Sequence, residues 1–125
     1  MNKKEIIEYL ANASVPDGAQ LVERDLPGIG LRVATVTVGN VGGLHIMAAR
    51  CFAQQLAADT ADLPDALTPA LLSRLHRSSK EFHENVAASA TFEAVEEEAR
   101  ETYKKVVERL HEVAVKHGIQ YEEPE

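Results

Sequence analysis

The chain is 125 residues long, carries 20 acidic against 13 basic side chains for a net charge of −7, and is 45% hydrophobic and 26% charged. That length suits one domain able to bury a core without disulfides or metal, and the balance of apolar and charged residues excludes general disorder. No run reaches the roughly 18 apolar residues of a transmembrane helix, so membrane insertion is not expected.

The charge is unevenly placed. Residues 1–50 hold five basic and five acidic side chains, whereas residues 51–125 hold eight and fifteen and carry the whole excess of −7. A nucleic-acid binder needs clustered Lys and Arg to neutralise phosphates, so this distribution argues against one and leaves room for a basic protein partner. The opening Met1-Asn2-Lys3-Lys4-Glu5 leads into an amphipathic pattern instead of the apolar run of a signal peptide. With a single cysteine, Cys51, no intramolecular disulfide is possible, and a cytoplasmic setting is expected. Cys51 reads as a small apolar core residue.

In chain order, Asn2 and Glu5 make a capping box, and Ile6, Ile7, Leu10 and Ala11 form one apolar stripe, predicting a helix over residues 3–13. Val15-Pro16-Asp17-Gly18 is turn chemistry. Residues 20–38 then shift to β-branched composition, broken by Leu26-Pro27-Gly28-Ile29 with Pro and Gly at the centre of a type II turn, which predicts a β-hairpin. Two strands alone are marginal in water, so helices or a second subunit must cover them.

The glycine loop Gly39-Asn40-Val41-Gly42-Gly43 feeds a helix expected over residues 44–58. Leu44, Met47, Ala48, Cys51, Phe52, Leu56 and Ala58 occupy most of its wheel, and Arg50 and Gln54 mark the polar side, so it reads as a central buried helix. Pro64 closes this segment. Thr68 as N-cap with Pro69 at the first helical position opens the next helix, predicted over residues 69–88 with Leu72, Leu75, Ser79, Phe82 and Val86 inward. Ser78 and Glu81 form a possible second capping box at which this helix is expected to kink.

The last helix is predicted over residues 89–117, with Phe92, Val95, Ala99, Tyr103, Val106, Leu110 and Val113 stepping by three and four. Glu101 with Lys105 and Glu112 with Lys116 are i,i+4 pairs on its other face, and Gly118 suits the C′ position. The tail, residues 119–125, is expected to fray. Such a helix would be about 43 Å long at 1.5 Å per residue, against a diameter near 36 Å for a compact domain of this size. A protruding apolar stripe normally meets another chain, so a homodimer is expected through that stripe, the hairpin, or both.

No complete catalytic signature is present. Gly39, Asn40, Gly42 and Gly43 follow a strand-like run and open a helix, where free N–H groups and the helix dipole favour an anion. The spacing lacks the dinucleotide fingerprint and the lysine of a phosphate loop. His45, at that helix start, is the histidine to test first, with Arg50 a further polar group. Glu108 and His111 match Glu-x-x-His once only, and Glu108 points away from the apolar stripe, so no metal is expected. His76 and His83 lie seven residues apart, about 10 Å of rise, too far for one ion, and read as half-covered boundary residues. Arg74, Arg77 and Lys80 read as a solvated basic strip, and no cofactor is implied.

The sequence therefore predicts a single α+β domain over residues 1–125: a helix, a β-hairpin or small antiparallel sheet, a buried helix and two long amphipathic helices. The expected function is a small cytoplasmic protein-binding or adaptor domain acting as a homodimer through its acidic helical half, more a binder than an enzyme. The alternative is a small-ligand-binding or enzymatic domain whose pocket lies at the start of the buried helix.

Overall fold

The computed structural model describes residues 1–14, 19–25, 32–37, 43–90 and 93–124, and at residues 14, 19–25, 32–37, 43–48, 94 and 95 it describes the backbone alone. Four helices make the body: α1 (Lys3–Ala11), α2 (Gly43–Asp59), α3 (Pro69–Ser89) and α4 (Glu93–His117), with a single 3-10 turn, Asn12–Ser14, after α1. The start of α1 is fixed by the predicted capping box, in which the Glu5 amide donates to the Asn2 side chain at 2.9 Å and the Asn2 amide to Glu5 at 3.3 Å. Thr68 caps α3 by accepting from the Leu71 amide at 3.1 Å, and Pro69 follows where no amide donor is required.

The core is helix against helix. Ile6, Ile7, Leu10 and Ala11 of α1 meet Phe52, Ala53 and Leu56 of α2, Leu71, Leu72 and Leu75 of α3, and Val106 and Leu110 of α4, all of them fully buried or nearly so. Side chains of this size contribute roughly 1.5–3 kcal/mol each when removed from water, which makes this cluster the dominant stabilising feature. Lys3 ties the N-terminus to the connection after α2. Its Nζ donates to the carbonyls of Thr60 at 2.9 Å and Leu63 at 2.7 Å, and its amide donates to the Asp65 carbonyl at 2.8 Å.

This architecture corrects the α+β expectation. Wherever side chains are described the protein is helical or in connecting turns, with no strand and no sheet among those residues, and every buried apolar residue belongs to a helix or to the 3-10 turn. The backbone of Ala19–Asp25 runs antiparallel to that of Arg32–Thr37, Ala19 opposite Thr37 and Val22 opposite Ala34, with an irregularity before Asp25 opposite Arg32. Two segments without a third strand give no sheet face on which helices can form a second layer, so the fold class is set by the four helices. The predicted turns at residues 15–18 and 26–29 fall, wholly or in their central positions, outside the described residues.

Other expectations change for identifiable reasons. Helix α2 is not buried all round: Ala49, Phe52, Ala53 and Leu56 face the core, whereas Arg50, Cys51, Gln54, Gln55 and Ala58 are exposed. Alanine and cysteine are small enough to stand in water at little cost, so counting them as apolar overstated the buried arc. Helix α3 runs unbroken through Ser78. The Ser78 hydroxyl donates to Asp59 at 2.5 Å, so it is not available to cap, and the Ser79 hydroxyl donates to the Leu75 carbonyl at 2.7 Å within the continuous helix.

Helix α4, about 37 Å long, has α3, about 31 Å long, packed along it. The tail leaves α4 through a defined turn. Gly118, at φ 65°, takes the left-handed conformation that glycine tolerates, the Ile119 amide donates to the Ala114 carbonyl at 2.8 Å, and the Gly118 amide to Val115 at 3.2 Å. That is a Schellman motif, and it turns residues 119–124 back onto the helices, where Ile119 and Tyr121 pack against the core.

Candidate functional site

Of the residues singled out for a ligand site, only three are among the described residues. Gly39, Asn40 and Gly42 lie outside the described residues; Gly43 is the first residue of α2, His45 follows within it, and Arg50 stands exposed further along. Phe92 also lies outside the described residues, and Val95 is described by its backbone alone. The rest of the expected interface stripe faces inward: Ala99, Val106, Leu110 and Val113 are 6%, 0%, 0% and 3% exposed within the single chain, and Tyr103 is half-buried. Their apolar surface is consumed by α1 and α3, leaving little to offer a second subunit.

The polar chemistry gathers instead where α3, α4 and the tail meet. His76 and His83, expected to be half covered, are only 4% and 5% exposed. The seven residues between them are about two turns of helix, so both rings project from the same side of α3, toward Tyr103 of α4. His76 Nδ1 lies 2.9 Å from the Tyr121 hydroxyl and Nε2 lies 3.1 Å from the Tyr103 hydroxyl. The Glu123 carboxylate lies near Tyr121 and accepts from His111.

His76 is thus bracketed by two phenols, Tyr121 at Nδ1 and Tyr103 at Nε2, and a neutral ring donates to one of them and accepts from the other. Burial holds the His76 ring below the ordinary histidine pKa, with nearby Glu123 opposing and His111 and Lys80 adding to the shift. Burial, and then the charge of Glu123, pushes the Tyr121 phenol well above its usual range, and burial followed by Glu84 and Glu123 raises Tyr103. The Glu123 carboxyl is held below the usual range chiefly by the hydrogen bond from His111.

His83 is set differently. Its Nδ1 lies 2.7 Å from the Ser79 carbonyl, and its ring sits edge-on to Phe52 and Phe82 at centroid separations of 4.8 and 5.3 Å. Desolvation again lowers its pKa, opposed by the Ser79 bond. Beyond it a groove of about 360 Å³ opens between α3 and α4, lined by His83, Glu84, Ala87 and Ala88 on one side and by Glu96, Arg100 and Tyr103 on the other.

The remaining charged candidates are engaged structurally. Arg74 donates to the Asp59 carbonyl and to Asp62, both at 2.9 Å, closing the end of α2, and Lys80 approaches Glu84 at 3.9 Å. Arg109 donates to the Tyr9 carbonyl at 2.6 Å and lies over the Tyr9 ring, while the Tyr9 hydroxyl donates to Glu112 at 2.9 Å. The charge pairs seen on α4 are Glu96 with Arg100 and Glu101 with Lys104, so Glu101 uses the i,i+3 partner in place of Lys105. Among the described residues no group of three or more His, Cys, Asp or Glu is placed to hold a metal ion.

Sequence reading missed the His76, Tyr121 and Glu123 association because the tail was expected to fray. The seven-residue spacing of His76 and His83, with Tyr103 in the next helix, was the available signal. Comparison with protein-family models, with curated protein sequences and with solved structures finds no match. No described helix is long and apolar enough to cross a membrane.

Proposed function

We propose that the protein is a small cytoplasmic binding or adaptor domain that presents its acidic helical half to a basic protein partner. The observation that carries this reading is the division of α4 into two faces. Ala99, Val106, Leu110 and Val113 are buried in the chain's own core, while Glu93, Glu97, Glu98 and Glu101 stand exposed. Residues 93–101 hold five glutamates against one arginine, a net of −4. A surface of one sign raises the encounter rate with an oppositely charged partner and loses that advantage as salt rises.

The same division turns the reading away from a homodimer built on the α4 stripe, since its apolar residues are already covered and two such helices would oppose like charges. Titrating the full chain with a hexalysine peptide tests the proposal. Binding at low ionic strength that weakens steeply with added salt, and that is lost in the triple variant Glu93→Lys, Glu97→Lys, Glu101→Lys, is expected. Failure of hexalysine to bind at low salt, or equal binding by the reversed variant, rejects it.

A further inference from the structure

We propose that the groove between α3 and α4 is an anchor pocket for one arginine or lysine side chain of that basic partner, an inference that rests on the acidic-face reading and adds the place where specificity resides. The charged groups of the groove are two carboxylates and one guanidinium: Glu84, which Lys80 approaches at 3.9 Å from outside the lining, and Glu96, bonded to Arg100 one turn away.

His83 supplies the independent observation. The Ser79 carbonyl can only accept, so His83 Nδ1 carries the hydrogen, and the neutral ring's Nε2 is left as a bare acceptor. No bond to Nε2 is seen among the described residues, and since no buried side-chain nitrogen or oxygen among them lacks a partner, Nε2 keeps access to solvent in a residue that is only 5% exposed and lines the groove. An imidazole with one nitrogen locked and the other an open acceptor can receive a donor there.

The apolar parts fit the same occupant. Ala87 and Ala88 offer methyl surface for an aliphatic stem, and the Tyr103 ring, whose centroid lies 5.8 Å from that of His83, offers a π face for the cation. The Tyr103 hydroxyl is held by His76 Nε2 at 3.1 Å, which fixes the ring beside the groove. A volume of about 360 Å³ holds one long side chain and its first water molecules. A guanidinium or ammonium is the group whose needs match this lining: donors in every direction, one positive charge and an apolar stem.

The test is titration of the ¹⁵N-labelled full chain with a blocked hexa-arginine peptide, followed by NMR and calorimetry, for the native protein and for Ala88→Leu and Glu84→Gln. Both positions are exposed, so the variants should fold, which circular dichroism verifies. Saturable binding is expected, with shifts at the Ala87, Ala88 and Tyr103 amides and at His83 Nε2, and each variant should weaken it about tenfold, the loss of one charged hydrogen bond or of the stem's seat. If both variants bind as tightly as the native chain, with shifts confined to Glu93, Glu97 and Glu101, the pocket is wrong and the acidic-face reading stands. No binding at any salt concentration overturns both.

Discussion

His76 Nδ1 and the Tyr121 hydroxyl lie 2.9 Å apart, joining the middle of α3 to a residue beyond the end of α4. The bond converts a short tail into a strap. Ser73 strengthens it by donating its hydroxyl to the Glu122 carbonyl at 2.6 Å, one turn of α3 away from His76.

Removing only the hydroxyl isolates the value of that bond. Tyr121→Phe keeps the ring in place and leaves His76 Nδ1 without its hydrogen-bond partner in a buried site, which should cost about 1–3 kcal/mol. Tyr121→Ala should cost more, because the ring's packing on the core is lost as well. Urea unfolding measures both; a Phe variant as stable as the parent would show that water replaces the phenol.

Acid should destabilise the fold in two stages. Burial holds His76 and His83 below the ordinary value of 6.5, so on acidification the unfolded chain takes up protons before the folded one does. Stability is therefore full above that value, falls as pH drops through it, and levels off once the folded rings charge. Asp62, held low first by the hydrogen bond from Arg74, and Glu123, held low first by that from His111, act in the same direction nearer pH 4. Melting temperatures from pH 8 to pH 3 follow this; a curve flat between pH 7 and pH 5 would contradict the buried neutral histidines.

Much of the helical frame was legible in local chemistry, since Asn2, Glu5, Thr68, Pro69 and Gly118 act within one turn of where they stand in sequence. What periodicity cannot say is what a stripe meets. Val106 and Leu110 have the same spacing whether they face α1 or a second subunit, and only the path of the chain decides. The fold class failed for a related reason: β-branched residues over 20–38 describe a local preference, whereas the class depends on which faces pack in layers. The association of His76 with Tyr121 was hidden because the two are 45 residues apart and Tyr121 lies beyond the last helical pattern.

Cys51 offers a direct check on how α2 is oriented. It is exposed on the side of the helix away from Phe52 and Leu56. Ellman's reagent should titrate one thiol in the native protein about as fast as in urea, whereas a core cysteine would react only on unfolding.

Leu110 distinguishes an internal core from a dimer seam. It is fully buried within the single chain, so Leu110→Ala should lower unfolding stability by about 2–5 kcal/mol. The unfolding midpoint should not depend on protein concentration, and sedimentation should give a monomer for both proteins. A midpoint that rises with concentration would restore the seam.

Lys3 and Asp65 separate a buried charge contact from an exposed one at the same corner. The Lys3 side chain is 14% exposed and its Nζ serves two carbonyls, Thr60 and Leu63, in the connection that follows α2. Its distance to the Asp65 carboxylate is 3.9 Å, and that carboxylate is 78% exposed. Lys3→Ala leaves both carbonyls without their charged donor and frees the connection from α1, for an expected loss of about 1.5–3 kcal/mol. Asp65→Ala removes only a screened pair and leaves the backbone bond from the Lys3 amide to residue 65 in place, so it should change stability by less than about 1 kcal/mol. Chemical denaturation of the two variants side by side checks the ordering, and equal losses would assign the stabilisation to the ion pair instead of to the carbonyls.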